Sequence, residues 1–154
     1  MKKIILALDT TNLEEAISIT KKVKDKIFTV KLGLEFFNAH GKAGVKKFNE
    51  LGVTNLLLDL KLKDLPETVY KSIKALDDIK FGFLTIHGQG GKSMIERAKK
   101  AASEIKSKPN IMMVTILYVP KPRISMFLPS HRAFSTSKKI ISRIFSISLR
   151  RMFG

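Results

Sequence analysis

The chain has 154 residues, which is enough for one domain with a buried core. It contains no cysteine, so disulfide bridges, thiolate metal sites and cysteine nucleophiles are excluded. Its formal net charge of +16 is unevenly distributed, because the last 37 residues contain eight basic residues and no acidic one. The first apolar run ends at Asp9, and no run approaches the ~18 apolar residues of a membrane-spanning helix. We therefore expect a cytoplasmic protein.

Short apolar runs alternate with helical patterns along the first three quarters of the chain. The runs predict strands at 3–9, 27–33, 55–61, 83–88 and 110–117. The helical patterns lie at 12–26, 66–78 and 92–106. Asn12 is placed to cap the first helix, and Pro66 stands at the first position of the second. This alternation predicts an α/β fold with a parallel sheet.

Polar side chains stand at the carboxyl ends of four of the five predicted strands. They are Asp9, Lys31, the DLK sequence at 59–61, and His87. Ligands of parallel α/β folds bind at the carboxyl ends of the strands. We therefore expect a functional site at this edge of the sheet.

The densest group of charges directly follows three leucines, in the sequence LLLDLKLKD at 56–64. Asp59 and Lys61 are two residues apart on the predicted strand, so we expect both side chains on the same side of the sheet, where they can share a pocket. Asp64 follows in the loop, and Lys31 belongs to the neighbouring strand end. Alternating charges in a dry site keep one another ionised, which predicts a charge array that needs no metal. Taken alone, such a cluster would be interpreted as a solvated strand exit with surface ion pairs.

Together these motifs resemble the orotidine 5'-phosphate decarboxylase family, in the same order and at similar spacing over residues 1–117. The matching motifs are LALD, VKLG, DLKLKDLPETV and IHGQGG, which contain Asp9, Lys31, Asp59, Lys61, Asp64, Thr68 and His87. The resemblance implies a (β/α)8 TIM barrel that works as a homodimer. It also implies the conversion of orotidine 5'-phosphate to UMP and carbon dioxide without any cofactor.

The resemblance implies a catalytic set of Lys61, Asp59, Lys31 and Asp64. Lys61 would protonate C6 of the pyrimidine as the carboxylate leaves, since a carbanion developing there needs a nearby ammonium. Asp59 would lie against the substrate carboxylate, and Lys31 would hold the ribose and the charge network. Asp64 would reach the active site of the partner subunit.

Substrate binding is implied for Asp9, which would contact ribose hydroxyls, and for Lys31 and Thr68. Thr68 would act across the dimer interface, while His87 receives no chemical role. A related group of barrels shares the Asp-x-Lys-x-x-Asp motif but binds Mg²⁺ through a glutamate at the position of Lys31. A lysine there would repel a cation, so we expect no metal.

The resemblance ends near residue 117, and no later segment of the chain predicts the remaining strands of a barrel of about 250 residues. We therefore expect an incomplete barrel of about five strands, residues 1–117, and a basic tail, residues 118–154, that is disordered or weakly helical. We also expect a truncated or frame-shifted chain with impaired activity. The alternative is a non-catalytic remnant whose tail binds an anionic membrane or a partner subunit. No nucleic-acid-binding motif accompanies the charge, so we do not expect nucleic acid as a partner.

Overall fold

A computed structural model describes residues 4–115 of the chain. All of them belong to one compact unit, Met1–Tyr118, and the predicted tail at 118–154 lies outside the described residues. The elements in chain order are β1 (Ile5–Leu8), α1 (Leu13–Val23), β2 (Thr29–Gly33), α2 (Leu34–Glu50), β3 (Leu56–Leu62), α3 (Pro66–Lys74), β4 (Phe83–His87), α4 (Gly91–Glu104) and β5 (Asn110–Val114). The predicted alternation of strands and helices is confirmed.

The strands form a single parallel sheet in the order β1-β2-β3-β4-β5. Each strand pairs with its neighbour in sequence, so the carboxyl ends of all five lie at one edge. Among the described strands, β1 and β5 each pair with one neighbour. This topology places the polar strand ends of the sequence next to one another.

Two helix starts follow directly from local sequence. The side chain of Asn12 accepts a hydrogen bond of 3.0 Å from the backbone N–H of Glu15, which caps α1 as predicted. Pro66 begins α3, where its missing N–H would have had no intrahelical partner. None of the helices within residues 4–115 is long and apolar enough to cross a membrane.

The helix α2 was not among the predicted elements. It buries Phe36, Val45 and Phe48, but Gly41 interrupts it with φ of 54° and ψ of −150°. The buried residues on the two sides of Gly41 therefore do not follow one continuous helical repeat, which is the signal that sequence reasoning uses.

Strand β3 separates two environments. Leu56, Leu58 and Leu60 are buried in the core between the sheet and the helices. Asp59 and Lys61 alternate with these leucines and are only partly buried. The leucines thus anchor the strand, and the charges lie on its opposite face.

Candidate active site at the carboxyl edge of the sheet

Four charged side chains from the first three strands form one continuous array. The Lys61 Nζ lies 2.8 Å from Asp59 Oδ2, and the Lys31 Nζ lies 3.8 Å from the same oxygen. The Lys31 Nζ is also 3.2 Å from Asp9 Oδ1. Positive and negative groups therefore alternate in the order Asp9, Lys31, Asp59, Lys61, which we call the charge array.

The charge array runs from solvent into a partly buried region. The Asp9 side chain is 67% exposed, whereas those of Lys31, Asp59 and Lys61 are 24%, 15% and 26% exposed. Electrostatic interactions strengthen as water is excluded. The strongest field is therefore expected around Asp59 and Lys61, rather than at Asp9.

The backbone of β3 is irregular where the array is built. Leu58 pairs with Leu84 and Leu62 pairs with Ile86, so four steps along β3 face two along β4. Lys61 has a φ of 50°, in the left-handed region. Such a conformation costs on the order of 1 to 3 kcal/mol for a residue other than glycine, and strained residues of this kind cluster at functional sites. Asp59 and Lys61 were expected to meet because they are two residues apart on a strand; they do meet, but through this irregular backbone.

Thr85 of β4 joins both residues of this irregular stretch. Its hydroxyl donates a hydrogen bond of 2.9 Å to Asp59 Oδ1 and accepts one of 2.9 Å from the backbone N–H of Lys61. Sequence reasoning missed Thr85. The available signal was a hydroxyl between the apolar residues of the buried run FLTI at 83–86.

Other predicted site residues do not join the charge array. Asp64 is exposed, and its Oδ1 accepts a hydrogen bond of 2.6 Å from the N–H of Leu65. Thr68 is exposed on the first turn of α3, and His87 ends β4 half-buried. Within residues 4–115, no hydrogen bond or ion pair connects these three side chains to Lys61 or Asp59.

One polar cluster fixes α3 against α4. The Tyr70 hydroxyl donates a hydrogen bond of 2.5 Å to Glu104, and the Arg97 guanidinium lies 4.0 Å from the centre of the Tyr70 ring. This hydrogen bond raises the pKa of Tyr70 and lowers the pKa of Glu104. Arg97 also forms an ion pair with Glu67 at the start of α3. The cluster therefore stabilises the helix that follows the loop of Asp64.

A second polar cluster connects α2 with the segment after α3. The two carboxylate oxygens of Asp78 each lie 2.8 Å from an ammonium, one from Lys42 and one from Lys46. These hydrogen bonds hold the pKa of Asp78 well below its usual range. The first cluster therefore joins α3 to α4, and the second joins α2 to the segment that follows α3.

The sheet and the charge array together define the class of protein. It is an α/β protein with a parallel sheet, and lysine and aspartate side chains alternate in a site at the carboxyl ends of its strands. The family model described as "Orotidine 5'-phosphate decarboxylase / HUMPS family" matches residues 2–125. The chain belongs to this family. The resemblance that the sequence motifs indicated is thereby confirmed.

Curated relatives match the same region. The chain is 44% identical over 117 residues to the orotidine 5'-phosphate decarboxylase of Wolbachia sp. subsp. Brugia malayi. The matched region covers 76% of this chain and 51% of the relative. It is 42% identical over 114 residues to that of Sphingopyxis alaskensis, covering 74% and 49%. The chain therefore spans about half the length of the curated relatives it matches.

Solved structures give the same result for the fold. The orotidine 5'-phosphate decarboxylase of Lactobacillus acidophilus superposes with a TM-score of 0.66 at 35% identity, covering 76% of this chain and 54% of the other. The enzyme of Methanocaldococcus jannaschii, complexed with the inhibitor BMP, also gives 0.66, at 26% identity and covering 73% and 51%. These neighbours are TIM barrels, and the five strands described here form part of such a barrel, as the sequence predicted.

Proposed function

We propose that this chain decarboxylates orotidine 5'-phosphate to UMP and carbon dioxide, without a metal or an organic cofactor. The observation that carries the proposal is the pair formed by Lys61 and Asp59, with 2.8 Å between ammonium and carboxylate at the carboxyl edge of the sheet. Family membership and the decarboxylase names of the relatives support the same reaction. Cytoplasmic localisation is part of this proposal.

In the proposed reaction, Asp59 lies beside the substrate carboxylate and Lys61 lies beside C6. The bond between C6 and the carboxyl carbon breaks, carbon dioxide leaves, and the electron pair remains on C6. The Lys61 ammonium stabilises that pair and then donates a proton, so a C6–H bond forms and the lysine becomes a neutral amine. A proton from solvent restores the ammonium for the next turnover.

Lys31 is proposed to hold both the charge array and the ribose. Its ammonium has three N–H donors, and it lies 3.2 Å from Asp9 and 3.8 Å from Asp59. Only the Asp9 contact is short enough for a hydrogen bond, so another N–H of the ammonium is available for a ribose hydroxyl. Asp9 is 67% exposed and has a second carboxylate oxygen that can accept from another hydroxyl.

A homodimer is proposed on the surface that carries Asp64 and Thr68. Both side chains are exposed, and Leu65 between them is 72% exposed. A second subunit covering this surface would bury the leucine and would receive the two polar side chains in its own site, as the family resemblance implies.

We also propose that the 154-residue chain works less efficiently than its relatives. The five described strands cover the charge array from one side only. Among them, β1 and β5 each have a single neighbour, so the described sheet is open. Water that reaches Lys61 and Asp59 weakens their field at the reacting carbon. The rate of the chemical step is therefore expected to fall along with substrate affinity.

The alternative, a non-catalytic protein that binds through its tail, is favoured by one observation. Residues 118–154 combine eight basic residues with no acidic one. In that case the chain would bind vesicles of anionic lipid in low salt and release them in high salt, and it would leave orotidine 5'-phosphate unchanged.

The proposed reaction is tested by incubating the chain with orotidine 5'-phosphate in D₂O and following the products by proton NMR. Because the lysine ammonium then carries deuterium, the proposal predicts UMP that lacks the H6 signal. Lys61→Ala should leave the substrate intact over the same period. If UMP forms equally fast with both proteins, Lys61 is not the proton donor; if it forms with neither, the chain is not a decarboxylase.

A further inference from the structure

We propose that Thr85 is a positioning residue of this site, which holds the Asp59 carboxylate and the Lys61 backbone where ammonium and carboxylate can meet. The inference rests on the decarboxylase function proposed above for the same site. It is based on three properties of Thr85: its place opposite the irregular part of β3, the direction of its two hydrogen bonds, and its burial.

Thr85 lies where the sheet has lost its regular pairing. Between the pairs Leu58 with Leu84 and Leu62 with Ile86, three residues of β3 face Thr85 alone. A bulge of this kind leaves backbone groups without their ladder partners. The N–H of Lys61 is such a group, and the Thr85 hydroxyl accepts its hydrogen bond at 2.9 Å. The threonine side chain thus replaces a missing backbone acceptor.

The hydrogen bonds of Thr85 have a defined direction. The Thr85 hydroxyl has a single proton to donate. A lone pair of its oxygen accepts the hydrogen bond from the Lys61 N–H, so the proton is donated to Asp59 Oδ1, with 2.9 Å between the two oxygens. Asp59 Oδ1 is thereby occupied by Thr85, and Oδ2 faces the ammonium groups of Lys61 and Lys31. The rotation of the carboxylate is fixed by this division of its two oxygens.

A closed ring of contacts results. It passes from the Lys61 N–H to the Thr85 hydroxyl, on to the Asp59 carboxylate, and back to the Lys61 ammonium. Both ends of Lys61, backbone and side chain, are therefore held through one hydroxyl. This explains how a residue with φ of 50° can still present its ammonium in a single position.

Burial makes the hydroxyl hard to replace. Thr85 is 5% exposed, so water has little access to the position that its hydroxyl occupies. Removing the hydroxyl while keeping the side-chain shape leaves the Lys61 N–H and Asp59 Oδ1 each short of a partner. The expected response is relaxation of the bulge, which moves the Lys61 ammonium away from its position beside Asp59.

The test compares Thr85→Val, which removes the hydroxyl, with Thr85→Ser, which keeps it. Thr20→Val is the matched control, because Thr20 is also buried and its hydroxyl donates a hydrogen bond of 2.8 Å to the Ala16 carbonyl in α1. It loses a buried hydroxyl without touching the charge array. All three are expected to fold, since each changes one group of a single side chain and leaves the hydrophobic core unaltered.

Two measurements are made on each variant. Hydrogen exchange of the Lys61 amide, followed by NMR, should be at least about tenfold faster in Thr85→Val than in Thr20→Val or Thr85→Ser. In the decarboxylase assay, Thr85→Val should lose about 100-fold in kcat with little change in KM, as expected for a misplaced catalytic group. Thr85→Ser should recover most of that kcat.

The inference is overturned if the Lys61 amide of Thr85→Val exchanges as slowly as that of Thr20→Val. It is also overturned if kcat falls equally in these two variants, since that result would reflect lost stability alone. The exchange measurement needs no turnover. If the unmodified chain proves inactive, the proposed function fails, and the exchange rate still decides whether Thr85 positions Lys61.

Discussion

The Lys61 ammonium lies 2.8 Å from the Asp59 carboxylate, although the backbone of Lys61, with a φ of 50°, departs from regular strand geometry. The strain and the ion pair occur at the same residue. Strained backbone of this kind clusters at functional sites, which is why the proposed reaction places Lys61 beside the reacting carbon.

Replacing Lys61 by glycine should separate strain from chemistry. Glycine adopts a positive φ without steric cost, whereas alanine does not, so Lys61→Gly should be more stable than Lys61→Ala by about 1 kcal/mol. Both variants lack the ammonium and should be equally inactive. Urea unfolding at pH 7 measures the difference. If Lys61→Ala is the more stable of the two, the left-handed conformation of Lys61 in solution is contradicted.

The stability of the chain should depend on Asp78 in a pH-dependent way. Its pKa is held well below the ordinary 3.8 by hydrogen bonds from Lys42 and Lys46, so its folded form binds a proton less readily than the unfolded chain does. A carboxyl group whose pKa is lowered by folding stabilises the folded chain at pH values above the pKa it has in the unfolded chain. This contribution is lost as the pH falls below about 4.

Asp78→Asn should therefore unfold at lower urea concentration than the unmodified chain at pH 7, and the gap should narrow at pH 3. Asp25 offers a control, since it is an exposed aspartate just after α1, and Asp25→Asn should shift the unfolding midpoint much less. An equal gap at both pH values would show that the ion pairs of Asp78 do not contribute through its carboxylate charge.

Tyr70→Phe should change the titration of Glu104. The tyrosine hydroxyl lowers the pKa of Glu104 by donating a hydrogen bond to its carboxylate, while the phenylalanine ring can still lie against Arg97. Carbon-13 NMR of the glutamate carboxyl groups should show the Glu104 pKa rising toward its ordinary value in Tyr70→Phe. A Glu104 titration curve unchanged by the substitution would contradict this contact.

Chelation should leave the reaction unaffected. The Lys31 ammonium lies 3.8 Å from Asp59 and 3.2 Å from Asp9, so it already provides positive charge to the carboxylates that would otherwise favour a divalent cation. Decarboxylation measured before and after dialysis against EDTA should proceed at the same rate. Loss of activity that Mg²⁺ restores would instead indicate metal-dependent chemistry.

Sequence reasoning succeeded where one local signal decided the structure. The apolar runs placed all five strands, and Asn12 and Pro66 marked two helix starts. It failed at α2, where Gly41 interrupts the helical repeat. Such a repeat is recognised from spacing, and an interruption in the middle removes the signal.

Part of the candidate site could be predicted from local sequence, and part of it could not. The charges of Asp59 and Lys61 were visible because they follow a buried apolar run, whereas the bulge that brings them together depends on the pairing of β3 with β4. Thr85 was missed for the same reason. Its role exists only opposite that bulge, 24 residues from Lys61 along the chain, and a hydroxyl within an apolar run does not by itself indicate those partners.

The most direct test of the proposed function is decarboxylation of orotidine 5'-phosphate, followed by loss of its ultraviolet absorbance, with three purified proteins. They are the unmodified chain, Lys61→Ala, and Lys63→Ala, in which an exposed lysine two residues further along is removed as a control. We predict measurable turnover that falls at least about 100-fold in Lys61→Ala and stays unchanged in Lys63→Ala. Equal rates in all three, or no turnover by the soluble unmodified chain, would contradict the account.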